Sequence, residues 1–396
     1  MTRSSAELLP LLRGGQYIDA LRGHMESLRS AYDHGNRKLH LDDLLCTYLL
    51  CFFNPTLRSL RTIGDWGTLA HQQGHLRMTR LCRSTISDAN ALMDPKLLVP
   101  ILRQLRSRLP HLRRQDADLQ RLLDKALIVD GSFFDAAADI AFALKTRSSH
   151  QVRLDVHLEA DTLVPWRIIV QGKGTSECRS AMDNLRPDAI YVMDRGYKGF
   201  ELLEAILTGG SDFLVRLTGP VGFDVQEEQI LDESDRLAGV LSDRIGKLRG
   251  SPHSRKHTPR QTLREVTIFD EAHPDKPIRL LTSVMDVPAK LIGQLYRWRW
   301  QIELFFRWLK VHANFKHLIS HSKNGMSLGF HAALIAVLLI YLKTGRPMSK
   351  YAFNLLSFVA SGYATMEQIL PILKAREREC EMDRQRQARR RKTKNP

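Results

Sequence analysis

The spacing of hydrophobic and polar positions changes along this chain. Up to about residue 121 leucines recur every three or four residues, which predicts amphipathic helices. Beyond it, short apolar runs and alternating stretches predict strands. The predicted strands are Ala126–Asp130, Val152–Leu158, Trp166–Val170, Ala189–Asp194, Phe213–Leu217, Leu263–Phe269 and Ile278–Ser283. Helical spacing returns after residue 285, so we predict an α/β protein with a helical N-terminal region.

The helical pattern is clearest from Tyr296 to Lys310. A helix there places one group of apolar residues on the same side: Leu295, Trp298, Ile302, Phe305, Phe306 and Leu309. The opposite side carries Tyr296, Arg299, Glu303, Arg307 and Lys310, which is one carboxylate among cationic and phenolic groups. Such a face suits phosphate and metal together. The alternative is a solvated surface on which Glu303 pairs with Arg299 and Arg307.

Two of the predicted strands end in an aspartate. One reads Leu-Ile-Val-Asp130, and the other reads Val-Met-Asp194 before Arg-Gly-Tyr197. Turn formation alone explains a strand-end aspartate before glycine. Two such strands in one sheet, followed by the helix of Glu303, favour a site where the three carboxylates meet. Carboxylate oxygens are ligands that Mg²⁺ prefers, and a pair of such ions assists phosphodiester cleavage or exchange.

The chain is strongly basic. Its 396 residues include 59 Lys and Arg against 43 Asp and Glu, a net charge of +16. This balance favours a polyanionic partner, nucleic acid first and an anionic membrane surface second. Arg77, Arg80 and Arg83 precede Ser84-Thr85, which can cap a helix that contacts a DNA backbone or one that is merely solvated. The basic tail from Arg389 is predicted to be disordered and to bind polyanions in general.

Cysteine spacing and apolar run lengths exclude other classes. The five cysteines form no C-x-x-C pair, so neither a zinc site nor a disulfide framework is indicated, and a reducing cytoplasm fits best. The N-terminus does not have the pattern of a signal peptide. The longest apolar stretch, Phe330–Leu342, is shorter than the roughly 20 residues that a membrane-spanning helix needs, so we predict a buried helix of a soluble protein.

The residues of the basic helix also carry a resemblance to a known family. Tyr296, Arg299, Glu303 and Lys310 match Tyr-x2-Arg-x3-Glu-x6-Lys. This motif resembles the signature of insertion-sequence transposases of the DDE superfamily whose type member is insertion sequence four. The segments around Asp130 and Asp194 resemble the strand-borne aspartates of that family, and the resemblance runs from about residue 126 to 342. The chain departs from it at Gly172–Glu177, where many members carry an Asn-x-His-Asp-like turn, so the resemblance assigns no accessory role to this turn.

The resemblance implies a fold and a set of site residues. The fold is a ribonuclease-H-like mixed-sheet catalytic core (122–217 and 285–345) with a β-rich insertion (218–284). A helical, DNA-binding domain (1–121) precedes it, and C-terminal helices with the basic tail (346–396) follow. Asp130, Asp194 and Glu303 are then the catalytic and metal-binding residues, with two Mg²⁺ ions for which Mn²⁺ can substitute. The implied DNA-binding residues are Tyr296, Arg299, Arg307 and Lys310.

The implied function is that of a cut-and-paste DNA transposase. Such an enzyme cleaves at the terminal inverted repeats of its element, frees a 3′-hydroxyl and joins it to target DNA, with a hairpin as one possible intermediate. Its partner would be double-stranded DNA, bound by a homodimer in the bacterial cytoplasm near the nucleoid and away from membranes. One alternative is a metal-dependent nuclease without strand transfer. Another is a DNA-binding regulator that has lost catalysis, although the intact carboxylates argue against it.

Overall fold

The computed structural model describes residues 21–32, 39–53, 59–65, 82–109, 116–137, 140–146, 149–219, 221–250, 258–311 and 320–344, with isolated positions beside and beyond these ranges. The chain divides into two compact units. The first comprises Met1–Pro110 and Trp308–Pro396, and the second comprises His111–Arg307. Arg77, Arg80 and the basic tail from Arg389 lie outside the described residues, so the expectations about them stay predictions.

The described helices follow the predicted regions. They are α1 (Arg22–Ser30), α2 (Leu41–Phe53), α3 (Arg83–Leu92), α4 (Val99–Arg106), α5 (Ala117–Lys125), α6 (Glu177–Met182), α7 (Phe200–Thr208), α8 (Glu233–Leu237), α9 (Ala289–Trp298), α10 (Trp300–Val311) and α11 (Lys323–Thr344). Short 3-10 turns cover Pro95–Leu98 and Arg195–Tyr197. Helices therefore make up the described elements of the first unit, whereas the second unit mixes helices with strands.

The first unit is built around α11. This helix contacts α2, α3 and α4 and is apolar on all sides, which is the composition expected of a fully enclosed helix. Its segment Lys323–Leu342 has a mean hydropathy of 2.0, and by length and composition it could cross a membrane. However, 94% of that segment is buried inside the protein, as in a core helix. The structure thus places Phe330–Leu342 in the interior, as the sequence predicted.

Two local predictions in the first unit are wrong. Ser84-Thr85 does not cap α3, because the helix already begins at Arg83 and has Cys82 at its N-cap without a side-chain hydrogen bond. The sequence Asn324-Gly325 also predicts a polar turn, whereas in the structure these residues lie in the first turn of α11. The Gly325 N–H donates to Ser322 Oγ at 3.0 Å, so Ser322 caps the helix before the two turn-forming residues.

The strands of the second unit form one mixed sheet. They are β1 (Ala126–Ala136), β2 (Leu144–Lys145), β3 (His150–Glu159), β4 (Pro165–Gln171), β5 (Ile190–Met193), β6 (Asp212–Leu217), β7 (Gly222–Glu228), β8 (Val240–Arg249), β9 (Leu263–Ile268) and β10 (Ile278–Thr282). The order is β2-β3-β1-β5-β6-β10-β9-β8-β7, with β4 also paired to β3. The central pairs β1–β5 and β5–β6 are parallel, and the other pairs are antiparallel. The strands of the 218–284 segment join this sheet because β10 pairs with β6.

Helices cover both faces of the sheet at its centre. On one face, residues of β1, β5 and β6 pack with α7 in a core that includes Leu127, Val129, Tyr191, Met193, Phe213, Val215, Leu203 and Ile206. On the other face, α9 contacts β6, β8 and β9. Because neighbouring residues of a strand point to opposite faces, each central strand has a second row of side chains toward the α9 face.

The first predicted strand is longer than expected. β1 does not end at Asp130 but continues to Ala136, because its antiparallel pairing with β3 persists to Ala136 and His150. Its parallel partner β5 stops at Met193, which pairs with Val129. Asp130 is therefore interior to its strand, yet it is the first residue past the parallel pairing. This position, rather than the strand end, makes it a neighbour of Asp194.

Candidate active site

Sheet register brings the two aspartates together. Val129, Met193 and Val215 are aligned across β1, β5 and β6. The next residue in each strand is Asp130, Asp194 and Arg216, so these three form the following row. Since Val129, Met193 and Val215 belong to the core on the α7 face, the row of Asp130, Asp194 and Arg216 faces the opposite side. We call it the aspartate row.

Asp130 lies in an environment that penalises its charge. Its pKa is raised to about 7, chiefly because the carboxyl is removed from water. The Gly131 N–H donates to Oδ1 at 2.8 Å and lowers the pKa, whereas the nearby Asp194 and Glu177 raise it and Arg299 lowers it. A positive charge brought to this carboxyl would offset the same penalty.

Asp194 has two roles in the structure. It is half-buried, and its Oδ1 accepts a hydrogen bond from the Gly196 N–H at 2.6 Å, which stabilises the turn Arg195–Tyr197. The turn-forming role considered from the sequence is therefore real. It does not remove Asp194 from the site, because its charge also acts on Asp130.

Among the described residues, Glu303 forms no metal-holding group with the two aspartates, and it follows a break in the predicted helix. The predicted helix from Tyr296 to Lys310 is interrupted at Arg299, where α9 ends and α10 begins one residue later. Hydrogen bonds from the Arg299 N–H to the Tyr296 carbonyl (3.0 Å) and from the Ile302 N–H to the Arg299 carbonyl (3.2 Å) tighten the chain there. A single continuous helix was thus the wrong expectation.

An ion pair holds Glu303 at this break. Arg299 Nη2 donates to Glu303 Oε1 at 2.7 Å, and the Arg299 side chain is only 16% exposed. The same guanidinium lies 5.9 Å from the ring centre of Tyr296, and its charge acts on Asp130 as well. Of the two pairings in the alternative left open from the sequence, the one with Arg299 is present, although this arginine is not solvated. The charge of Arg299 acts on both Glu303 and Asp130.

The predicted DNA-binding residues fall into different surroundings. Tyr296 is buried, with 7% of its surface exposed, whereas Arg307 is exposed. Lys310 is half-buried and belongs to the first unit, whereas the other three belong to the second. Only Tyr296 and Arg299 line a cleft next to Asp194.

That cleft is mainly cationic. It has a volume of about 510 Å³ and is lined by Asp194, Arg195, Arg216, Asp270, Ala272, His273, Lys276, Tyr296 and Arg299. Within the described part of the chain, Arg195, Arg216 and Lys276 form no ion pair. Sequence reasoning missed Arg216, whose only signal was a cation inside the apolar run of β6. We call this the basic cleft.

Sequence reasoning also missed a carboxylate, Glu177, at the start of α6. A Cβ built on Gly131 would stand 2.7 Å from Glu177 Oε1, and one built on Gly196 would stand 3.8 Å from Oε2. Glu177 therefore lies beside the residues that follow each aspartate. Its pKa is raised, first by burial and then by Asp155 and Asp194, while Arg153 opposes the shift.

The carboxylates of Asp130 and Asp194 are donors of the kind that a hard divalent cation takes, but in this structure they do not enclose one. The backbone at Gly131 is closely packed, because a Cβ there would meet Glu177 Oε1 at 2.7 Å and Asp155 Oδ1 at 2.9 Å. Among the residues that the structure describes, no three His, Cys, Asp or Glu side chains are close enough to hold an ion as they stand. Glu303, in particular, is turned to Arg299.

Comparison with known families identifies the family of the chain. Residues 121–339, more than half of the chain, match the transposase DDE domain family. The matched segment contains Asp130, Asp194 and Glu303. The chain therefore belongs to the transposase DDE domain family, whose members generally use divalent metal ions.

Individual relatives point the same way over shorter stretches. The chain is 32% identical over 154 residues to the transposase y4zB of Sinorhizobium fredii, which is 38% of this chain and 42% of that protein. It is 28% identical over 173 residues to a probable transposase of insertion sequence element IS5377 from Geobacillus stearothermophilus (43% and 44%). It is 28% identical over 199 residues to transposase InsG of insertion sequence element IS4 from Escherichia coli (47% and 42%). The chain thus spans less than half of the length of these three relatives.

Proposed function

We propose that this protein is a DNA transposase that acts at the terminal inverted repeats of an insertion sequence. The observation that carries the proposal is the aspartate row, in which two carboxylates on adjacent parallel strands stand beside a cationic cleft. Parallel central strands with helices on both faces also support a ribonuclease-H-like core. The match to the Tyr296, Arg299, Glu303 and Lys310 spacing adds the relation to the insertion-sequence-four type.

Asp130 and Asp194 would hold divalent metal, with Glu303 joining them once it leaves Arg299. We infer Mg²⁺, two ions, with Mn²⁺ as a substitute, because hard oxygen donors suit both metals. When bound, such ions supply Lewis acidity at the scissile phosphate and lower the pKa of the attacking water.

The chain's own cations would position the DNA. Arg195, Arg216 and Lys276 in the basic cleft are free of ion pairs among the described residues and can neutralise backbone phosphates beside Asp194. Water would attack a phosphorus at the element end, the bond to the 3′ oxygen would break, and a 3′-hydroxyl would be released. That hydroxyl would then attack a target phosphorus and displace its 3′ oxygen. A homodimer would hold both ends, and a hairpin intermediate is part of the proposal.

An assay with a supercoiled donor plasmid and Mg²⁺ tests the function. Excision followed by joined products is the expected result. Cleavage without joining would replace the transposase with a metal-dependent nuclease. A gel shift without cleavage would indicate a DNA-binding regulator, for which the Arg299–Glu303 ion pair would be the structural reason.

A further inference from the structure

Arg299 differs from the other strong cations of the basic cleft because it already holds a carboxylate. Its Nη2 donates to Glu303 Oε1 at 2.7 Å. Arg195, Arg216 and Lys276, in contrast, form no ion pair within the part of the chain that the structure describes. The Arg299–Glu303 ion pair therefore connects a wall of the basic cleft to the carboxylate that we expect as the third metal ligand.

The surroundings of the two side chains show which of them can leave the ion pair. The Arg299 side chain is 16% exposed, its guanidinium lies 5.9 Å from the ring centre of Tyr296, and the charge of Asp130 acts on it. The Glu303 side chain is 32% exposed, and among the described residues it has no hydrogen-bond or ion-pair partner besides Arg299. Glu303 can thus move away at the loss of one contact, while Arg299 keeps its place in the cleft wall.

A DNA phosphate in the basic cleft would compete with Glu303 for this guanidinium. Arginine presents its N–H donors in a planar fork that binds two oxygens of one phosphate. Arg195 and Arg216 line the same cleft and would attract the DNA backbone to it. A phosphate on Arg299 would also repel the Glu303 carboxylate, because the two anions would then share one cation.

We propose that the Arg299–Glu303 ion pair is a latch that bound DNA opens. A backbone phosphate takes the place of Glu303 on Arg299, and Glu303 is then free to join Asp130 and Asp194. While the latch is closed, the described carboxylates do not form a group of three that could hold an ion. This inference rests on the proposed function and adds to it the regulation of the same site, since the third metal ligand becomes available only with DNA in place.

The latch makes two kinds of binding depend on each other. DNA phosphate needs Arg299 and a divalent cation needs Glu303, so each ligand favours the open state that the other also requires. By linkage, DNA should raise the affinity for the cation by the same factor as the cation raises the affinity for DNA. We expect this factor to be about tenfold.

Mn²⁺ binding to the full chain without DNA gives the first test, with free Mn²⁺ followed by electron paramagnetic resonance. Arg299→Ala removes the partner that holds Glu303, so Mn²⁺ affinity should rise about fivefold. Loss of any nearby cation could have this effect, and a double-mutant cycle separates the two causes. In the Glu303→Gln background, Arg299→Ala should give no gain. If Arg299→Ala lowers the melting temperature, Arg299→Met keeps an apolar stem beside Tyr296 and takes its place in the cycle.

DNA binding without metal gives the second test. The probe is a short fluorescein-labelled duplex, and binding is followed by fluorescence anisotropy in EDTA. Glu303→Gln weakens the hold on Arg299, so this variant should bind the duplex about fivefold more tightly than the parent. Glu271→Gln removes an exposed carboxylate next to two residues that line the cleft, and it is the matched control for loss of negative charge alone. Addition of Ca²⁺ at constant ionic strength should tighten binding by the parent more than binding by Glu303→Gln.

The other outcomes separate the latch from the proposed function. If Arg299→Ala raises Mn²⁺ affinity equally in both backgrounds, Arg299 acts only through its charge and the latch is wrong. If Glu303→Gln and Glu271→Gln bind the metal-free duplex equally, phosphate does not replace Glu303 and the latch is again wrong. The proposed function stands in both cases. If Asp130→Asn and Asp194→Asn bind Mn²⁺ as the parent does, with and without the duplex, the metal site fails, and the proposed function and the latch fail with it.

Discussion

The aspartate row and the α9–α10 break place their carboxylates by different means. Asp130 and Asp194 are fixed by backbone register, since Val129 and Met193 pair one residue before them on adjacent strands. Glu303 is placed by a side-chain ion pair at the point where a helix is interrupted. Backbone pairing cannot be rearranged without breaking the sheet, whereas an ion pair exchanges partners readily. We conclude that the aspartates are the fixed part of the site and Glu303 is the adjustable part.

The largest effect is expected at the fixed part. Asp130→Asn and Asp194→Asn remove a charge that a divalent ion requires, so Mg²⁺-dependent cleavage of an end-containing DNA should fall about a thousandfold or more. Asp130→Asn should not lower the melting temperature, because burial and neighbouring carboxylates already penalise that charge. Cleavage kinetics and thermal unfolding measure the two effects. A variant that cuts at the parental rate would remove the aspartate row from the chemistry.

Substitutions at Glu303 and Arg299 should affect DNA cleavage and DNA binding differently. Glu303→Gln is expected to lose orders of magnitude in cleavage while it still binds DNA ends, since the amide cannot serve as a charged metal ligand. Arg299→Ala should instead weaken end binding about tenfold, because a guanidinium that contacts phosphate is lost. Gel shifts in Ca²⁺ and cleavage in Mg²⁺ give both readings. If Glu303→Gln cleaved DNA at the parental rate, Glu303 would not be a metal ligand and would not belong to the site.

Acidification should destabilise the second unit because the sheet contains a buried histidine. His157 on β3 pairs with Val129, the residue before Asp130. Burial lowers the pKa of His157 to about 3, and Arg167 and Arg186 lower it further. The unfolded state, with a pKa near 6.5, binds the proton first. The contribution of neutral His157 to the free energy of unfolding is therefore fully present above pH 6.5. It is lost as the pH falls toward 3, and the loss is about 2 kcal/mol at pH 5.

Chemical denaturation at pH 5 and pH 7.5 measures this loss, and a replacement provides its control. His157→Phe fits between the rings of Trp166 and Tyr191, whose centres lie 6.0 and 6.1 Å away, and it cannot be protonated. The variant should lose about 2 kcal/mol less than the parent over that pH interval. An identical loss in both proteins would assign the acid sensitivity to other groups.

The smallest effect should appear in the basic cleft. Arg216→Ala removes one unpaired cation of the row, so binding to any duplex should weaken several-fold and the slope of log affinity against log salt should flatten by about 1. The matched control is Arg236→Ala, which removes an exposed arginine on α8 outside the cleft. Salt titrations of DNA binding by fluorescence anisotropy distinguish the two variants. Equal slopes for the parent and Arg216→Ala would mean that DNA does not bind in the basic cleft.

The sequence predicted the parts of the site that depend on local pattern. Asp130 and Asp194 could be proposed because each follows an apolar run long enough to be a strand. Arg216 and Glu177 could not, since one depends on the register between β5 and β6 and the other on the packing of α6 against β1. The break at Arg299 was missed because the apolar spacing from Leu295 to Ile302 continues across it, while the short hydrogen bonds that interrupt the helix leave no trace in the pattern.

The strand order has a consequence for how the site is assembled during synthesis. The two central parallel pairs join segments that are distant in the chain, and β6 gains its second neighbour only when β10 has been made. Pairing of this kind is non-local and slow compared with local helix formation. A growing chain would therefore contain both aspartates well before α10 emerges with Glu303. The three acidic residues can act together only in a finished, fully folded second unit.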